Sequence, residues 1–99
     1  MIRHIVAWNF KEGFSDEENR ANAEKMKKDL EGLKDLIPEV ADIRVDIDLA
    51  PSSTRDVMLN SLFATEADLK VYQEHPEHKK VGAFIGSVTK HRVCLDFYE

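Results

Sequence analysis

The chain has 99 residues, of which 42% are hydrophobic and 33% are charged, and its formal net charge is −5. This length fits one domain over residues 1–99, and the composition is typical of a globular chain. The acidic charge is spread without a block and disfavours nucleic acid and anionic membrane surfaces as partners, because both are negatively charged.

The first half of the chain predicts a strand, a long helix and a second strand. Ile2 to Phe10 is rich in β-branched and aromatic residues, which is typical of a strand. Ser15 and Glu18 have the spacing of a capping box, and apolar residues at three- and four-residue steps then predict a helix that ends near Leu36. From Val40 to Leu49, apolar and charged residues alternate, so one face of the second strand is predicted to be buried.

The second half predicts two further strands with a helical region between them. A turn-rich connector, Ala50 to Thr54, leads to a third strand from about Asp56 to Ala64, which we expect to pair antiparallel with the second. A helix begins after Thr65, breaks at a proline, and continues as a short helical turn from Glu77 to about Gly86. Thr89 to Tyr98 forms the last strand. The order β-α-β-β-α-β predicts an α+β, ferredoxin-like domain, whose four-stranded antiparallel sheet has its helices on one face.

The predicted sheet is apolar on both faces. One parity of its strands carries Val6, Trp8, Phe10, Val45, Ile47, Leu59, Phe63, Val93, Leu95 and Phe97. The other carries Ile5, Ala7, Met58, Leu62, Ala64, Cys94 and Tyr98. Two helices cover only one face, and exposing an apolar patch costs several kcal/mol at about 25 cal/mol per Å². We therefore predict a homodimer through the uncovered sheet face; the alternative is a scattered apolar surface without a partner.

The single cysteine, Cys94, bears on both disulfides and compartment. It excludes an intrachain disulfide and a cysteine-based metal cluster. The N-terminal residues run directly into the first predicted strand without a signal-peptide pattern, and no apolar run approaches the ~20 residues of a membrane span. These features predict a cytoplasmic protein.

Residues that could carry chemistry are densest around the predicted helix break, from Tyr72 to His78. A break there turns Tyr72 and His78 toward a pocket between helix and sheet. Imidazole exchanges a proton near neutral pH, and a phenol can hold a developing enolate. His4 shares a strand parity with Trp8 and is a third candidate. In the alternative interpretation all three are structural: Tyr72 is a core aromatic, His78 locks the proline turn, and His4 is a hydrogen-bonded strand histidine.

Other chemistries are less well supported by the sequence. His75 is predicted to cap a helix or face solvent, and His91 is interpreted as structural. A metal site built on His75 and His78 is not predicted, because the proline between them disrupts the helix and zinc needs three or four inward ligands. No nucleophile elbow, phosphate loop or dinucleotide fingerprint occurs, so we predict neither a metal nor a cofactor.

Three segments carry a resemblance that spans the chain. They are Ile2-Arg3-His4-Ile5-Val6 with Phe10-Lys11, Leu69-x-x-Tyr72-x-x-His75-Pro76-x-His78, and Asp96-Phe97-Tyr98. With these segments the chain resembles the stress-responsive A/B barrel domain (Dabb) family. The resemblance implies a dimeric α+β barrel, in which two ferredoxin-like sheets close together with their helices outside.

The family resemblance also bears on activity. The family includes stress-associated and assembly proteins as well as an enzymatic branch of olivetolic acid cyclase type, which performs metal-free aldol cyclisation. That branch implies His78 as the base, Tyr72 as its assistant and His4 as a further pocket histidine. Another pocket histidine of the branch falls near Val57, so the same substrate is not implied.

The leading prediction is a Dabb-type homodimer of unassigned activity that binds a small, largely apolar molecule between helices and sheet. His4, Trp8, Phe63 and Phe84 are the predicted binding residues. If the protein is catalytic, cofactor-free aldol cyclisation or tautomerisation would use His78 as the general base and Tyr72 as the orienting or enolate-stabilising group. The alternatives are a non-enzymatic stress-associated or structural assembly protein, and a cofactor-independent monooxygenase.

Overall fold

A computed structural model describes residues 1–99 and contains four strands and three helices. Their bounds are β1 (Ile2–Phe10), α1 (Asp16–Leu36), β2 (Val40–Asp46), β3 (Val57–Phe63), α2 (Glu66–Glu74), α3 (Pro76–Val88) and β4 (Thr89–Tyr98). All strand pairs are antiparallel, and the sheet order is β2-β3-β1-β4. This confirms the predicted ferredoxin-like α+β fold with helices on one face of the sheet. None of the helices combines the length and apolarity needed to span a bilayer.

Helix α1 forms where the sequence predicts it, for the predicted reasons. The Ser15 hydroxyl accepts from the Glu18 backbone N–H, and the Glu18 carboxylate accepts from the Ser15 N–H, so two otherwise unpaired donors are satisfied. The apolar stripe faces the sheet, with Ala23, Met26, Leu30 and Leu33 all buried. Burying each of the larger side chains contributes about 1.5–3 kcal/mol. The helix ends at Leu36 because the following proline excludes helical geometry at Ile37.

Helix α1 also protects the outer edge of the sheet at β2. The Glu31 carboxylate accepts from the Val45 N–H at 2.9 Å, and the Lys27 ammonium donates to the Val45 carbonyl at 2.6 Å. Lys27 and Glu31 are themselves paired. Because these side chains occupy backbone groups that would otherwise be open to another strand, they limit pairing along this edge.

Two elements differ in length from the prediction. β2 ends at Asp46 and not at Leu49, because its pairing with β3 extends no further than that residue. The predicted short turn after the proline is a helix of 13 residues, α3. Glycines within it weaken the helical signal, but Ile85 and Val88 pack into the core and hold the segment helical.

The structure corrects the predicted facing of β4. The β1–β4 register pairs Val6 with Cys94 and His4 with Asp96, so Cys94 and Asp96 lie on the helix-covered face. The predicted arrangement had Val93, Leu95 and Phe97 on the same face as Val6, and Cys94 and Tyr98 on the opposite face. That prediction was wrong. Alternation along a strand indicates two faces, but the register with its neighbour decides which face meets the helices.

This register makes the uncovered face of the sheet more apolar than predicted. We call it the open sheet face; its apolar residues are Ile5, Ala7, Met58, Leu62, Val93, Leu95 and Phe97. In the single chain, Val93, Leu95 and Phe97 are 39%, 65% and 47% exposed. A contiguous apolar surface of this kind is typical of an interaction site.

Candidate functional site

A cleft of about 300 Å³ opens between α3 and the part of the sheet formed by β1, β3 and β4. Its apolar wall consists of Val6, Trp8, Leu30, Leu59 and Ile85. Its ionisable lining residues are His4, His78, Lys90, His91 and Arg92, and the remaining lining residues are Gly82, Gly86 and Thr89. A cleft of this size with an apolar wall and a few polar groups has the properties of a small-molecule site.

His78 lies in the first turn of α3 and is held in one orientation by the end of α2. Its Nδ1 is 3.2 Å from the carbonyl oxygen of Gln73, which the last turn of α2 leaves without a helical partner. Because a carbonyl only accepts, Nδ1 must carry the proton, and the lone pair is then on Nε2. Burial lowers the pKa of His78, so the ring is neutral at neutral pH. A neutral imidazole with a fixed tautomer can act as a base.

Tyr72 lies directly beneath His78 and does not line the cleft. Its ring centroid is 4.4 Å from that of His78 and 5.0 Å from that of Phe63. The side chain is 0% exposed, and its hydroxyl has no hydrogen-bond partner. Burial raises the pKa of Tyr72 well above its ordinary range, so the phenol is neutral. A buried hydroxyl without a partner costs about 1–3 kcal/mol, so the core alone gives no reason for a tyrosine here.

His4 reaches the cleft from β1 and is only 2% exposed. Its Nδ1 lies 2.5 Å from the Asp96 carboxylate on β4. Since a carboxylate accepts, Nδ1 donates and the other ring nitrogen is free. Its ring centroid is 6.4 Å from those of Phe63 and Tyr72. His4 is thus a hydrogen-bonded strand histidine and a cleft residue at once.

One group of side chains approaches the geometry of a metal site. Ligand atoms of His4, Cys94 and Asp96 lie within 4.8 Å of one another. Three ligands with an open position resemble a catalytic zinc site. Here the imidazole and carboxylate are hydrogen-bonded to each other, and burial together with the charge of Asp96 raises the pKa of the Cys94 thiol. The sequence directed attention to a cysteine cluster and to His75 with His78 as metal ligands, and not to this set, whose members lie at opposite ends of the chain.

The basic residues of β4 were absent from the predicted site. Asn9 pairs with Lys90 but Ala7 pairs with Val93, so two residues, His91 and Arg92, oppose the single intervening residue of β1. His91 adopts a left-handed conformation with φ of 53°. This is a β-bulge, which re-aims the side chains of the strand it interrupts. The Lys90-His91-Arg92 run was visible in the sequence, but the register that turns Arg92 toward the cleft and the bulge at His91 were not.

The structure separates the six predicted site residues into three groups. His4, Trp8 and His78 line the cleft. Tyr72 and Phe63 are fully buried beneath it. Phe84 lies apart from the lining, with the Lys25 ammonium 4.8 Å from its ring centroid. His75 is also outside the cleft: it caps α3, its Nδ1 accepting from the Glu77 N–H at 3.1 Å.

Comparisons with known proteins identify the family and show the fold. The model of the Stress Responsive A/B Barrel Domain, Dabb, matches residues 2–99, whereas no curated protein matches the chain. A dimeric ferredoxin-like protein of unknown function from Bacteroides fragilis has a TM-score of 0.92 and 28% identity, covering 99% of this chain and 95% of that one. Two other matching structures, from Thermobifida fusca and a Jannaschia species, are also described as dimeric ferredoxin-like proteins of unknown function.

Two of the similar structures are enzymes by name. A hydroxynitrile lyase from Passiflora edulis has a TM-score of 0.79 at 20% identity, covering 97% of this chain and 90% of its own. A putative antibiotic biosynthesis monooxygenase from Nitrosomonas europaea has a TM-score of 0.77 at 14% identity, covering 100% and 98%. At these identities the similarity shows the fold alone. The match over residues 2–99 shows that the chain belongs to the stress-responsive A/B barrel domain (Dabb) family.

Proposed function

We propose that this protein binds a small, largely apolar carbonyl compound in the cleft and moves a proton on it, with His78 as the general base and no cofactor. The observation that carries the proposal is the neutral His78 ring at the cleft wall. Its Nδ1–H donates a hydrogen bond to the Gln73 carbonyl, so the lone pair on Nε2 takes no part in that bond. A base of this kind contributes about 10²–10⁴-fold to a proton-transfer step.

The proposed step is proton abstraction beside a carbonyl. Nε2 of His78 takes a proton from the carbon next to the carbonyl, which leaves an enolate and an imidazolium. Returning that proton to the enolate at another atom gives a tautomer; delivering it to the alkoxide formed when the enolate attacks a second carbonyl completes an aldol closure. Tyr72 acts beneath His78 as a positioning residue, since its ring packs at 4.4 Å. The reaction class is therefore a cofactor-independent isomerase or lyase.

We infer that the homodimer forms through the open sheet face. Its exposed apolar residues on β4 need a cover, and a second copy of the same sheet supplies one by two-fold symmetry. Leu95→Lys would place a charge in this interface, whereas Val71→Lys places the same charge on α2, where Val71 is 42% exposed. Light scattering should give twice the 11.4 kDa chain mass for wild type and Val71→Lys, and a lower mass for Leu95→Lys. A wild-type monomer would contradict the inference.

The unpaired Cys94 suits a reducing compartment, so we also infer a cytoplasmic protein.

The experiment that tests the proposed chemistry is hydrogen–deuterium exchange at carbon. A panel of apolar ketones is incubated with the protein in deuterated buffer, and loss of the protons beside the carbonyl is followed by NMR. His78→Ala should reduce the exchange rate by about 10²-fold or more. His75→Asn is the matched control, because it removes an imidazole outside the cleft and keeps a side chain that caps α3. Equal exchange by wild type and His78→Ala would overturn the proposal.

One observation favours a non-enzymatic alternative. The His78–Gln73 bond also ties α3 to α2, so His78 can serve as a structural lock in a stress-associated or assembly protein. Under that alternative, His78→Ala lowers the melting temperature by several degrees and changes neither ligand binding nor proton exchange. Under the proposed function, exchange is lost while most of the stability is retained.

A further inference from the structure

The ionisable residues that line the cleft include no acidic group. All five of these residues are of basic type, namely His4, His78, Lys90, His91 and Arg92, and no carboxylate lines the cleft. The chain as a whole is acidic: its 19 aspartates and glutamates outnumber its 14 lysines and arginines, and its formal net charge is −5 with the histidines neutral. His78 is neutral and Lys90 is paired with Glu12, but Arg92 keeps its positive charge, and a concave site with charge of one sign concentrates ligands of the opposite sign. The cleft therefore favours an anionic ligand, although the protein is acidic.

Within this lining, Arg92 differs from the other arginines of the chain. Arg3, Arg20 and Arg44 each pair with a carboxylate, and Arg55 donates to two backbone carbonyls. Arg92 has no carboxylate partner. Its guanidinium is a planar fork of donors that matches a carboxylate in a bidentate arrangement. By contrast, the charge of Lys90 is already matched by Glu12.

The register of β4 explains why Arg92 faces the cleft. Val6 pairs with Cys94 on the helix-covered face, and Arg92 lies two residues before Cys94, so strand alternation puts Arg92 on the same face, where it lines the cleft with Trp8. Arg92 is also close enough to act on the proposed machinery: burial is the main cause of both shifts, but the positive charge of Arg92 opposes the rise in the pKa of Tyr72 and adds a minor part to the lowering of the pKa of His78. The arginine and the proposed base therefore face the same cleft.

We propose that the ligand is a carboxylate with an apolar body, and that Arg92 binds its carboxylate group. The apolar body lies against Trp8, Leu59 and Ile85, which form the apolar wall. This inference rests on the proposed function and deepens it by naming a substrate class: a carboxylic acid that also carries the carbonyl on which His78 acts.

Binding of matched probes tests the inference. Hexanoate and hexanamide have the same apolar chain and differ in the charge of the head group. Trp8 is the only tryptophan, so its fluorescence reports occupancy of the cleft. Calorimetry gives the affinities independently. Wild type should bind hexanoate at least about tenfold more tightly than hexanamide, which is the smallest effect expected of a hydrogen bond to a charged group.

Two variants assign the preference to one residue. Arg92→Gln should abolish the preference for hexanoate and leave hexanamide affinity unchanged. Lys70→Gln, which removes an exposed positive charge on α2 outside the cleft, should keep the preference. Equal affinity of wild type for both probes, or a preference that survives Arg92→Gln, overturns the carboxylate inference while the proposed function stands. Failure of both probes to bind overturns the proposed function as well.

Discussion

The unpaired hydroxyl of Tyr72 leads to a prediction with an unusual sign. Tyr72→Phe removes a buried hydroxyl that has no partner and keeps the aromatic ring that packs on Phe63 and His78. The cost of leaving such a group unpaired is about 1–3 kcal/mol. At the lower end of this range, the variant should gain about 1 kcal/mol, which corresponds to about 4–8 °C in melting temperature for a domain of this size.

The assay is thermal unfolding at one fixed protein concentration, because the stability of a dimer depends on concentration. Tyr98→Phe is the matched control: the Tyr98 hydroxyl donates to Glu66 at 2.5 Å and is exposed, so its loss should leave the melting temperature unchanged or lower. A Tyr72→Phe variant that melts below wild type would refute the reasoning, since the hydroxyl would then have a partner in the folded protein. A more stable variant with slower proton exchange would show that Tyr72 is kept for function and not for stability.

Three further predictions concern pH, the bulge and the sheet edge. Burial lowers the pKa of His78 below its ordinary value of 6.5, so the unfolded chain takes up the proton first as pH falls. Chemical denaturation should therefore show wild type losing stability relative to His78→Gln below about pH 6.5, and the opposite trend would contradict the assignment. His91→Val should be less stable than His91→Gly by about 1–3 kcal/mol, because a β-branched residue is strained at φ of 53°, and equal unfolding midpoints would argue against the bulge. Glu31→Ala should cost about 1 kcal/mol and make the Val45 amide hydrogen exchange faster, since that N–H loses its acceptor; unchanged exchange would contradict this account of the edge.

Much of the fold was predictable because local rules and the global arrangement agree. The capping box at Ser15, the apolar stripe of α1 and the alternation in β2 each depend on residues close together in the chain. The 13-residue length of α3 was not predictable, because its glycines weaken the local signal and its helical state depends on burying Ile85 and Val88. Local pattern identifies an element best when packing does not have to override propensity.

The candidate site was predictable only where a single segment carries it. The run from Tyr72 to His78 indicated chemistry, and both residues lie together in the structure with their rings 4.4 Å apart. The sequence did not distinguish a cleft residue from one buried beneath it, so Phe63 and Tyr72 were grouped with His4 and Trp8. That distinction depends on how α3 lies on the sheet, which no local pattern encodes.

By itself, the sequence determined the elements, their order, the apolar character of both sheet faces and the family resemblance. Only the tertiary structure decided which face each β4 residue occupies, because the parity of a strand has no meaning until its register with a neighbour is fixed. The same register joins His4 to Asp96 across nearly the whole chain. It also turns Arg92 toward the cleft, and with it the basic lining that an acidic sequence gave no reason to expect.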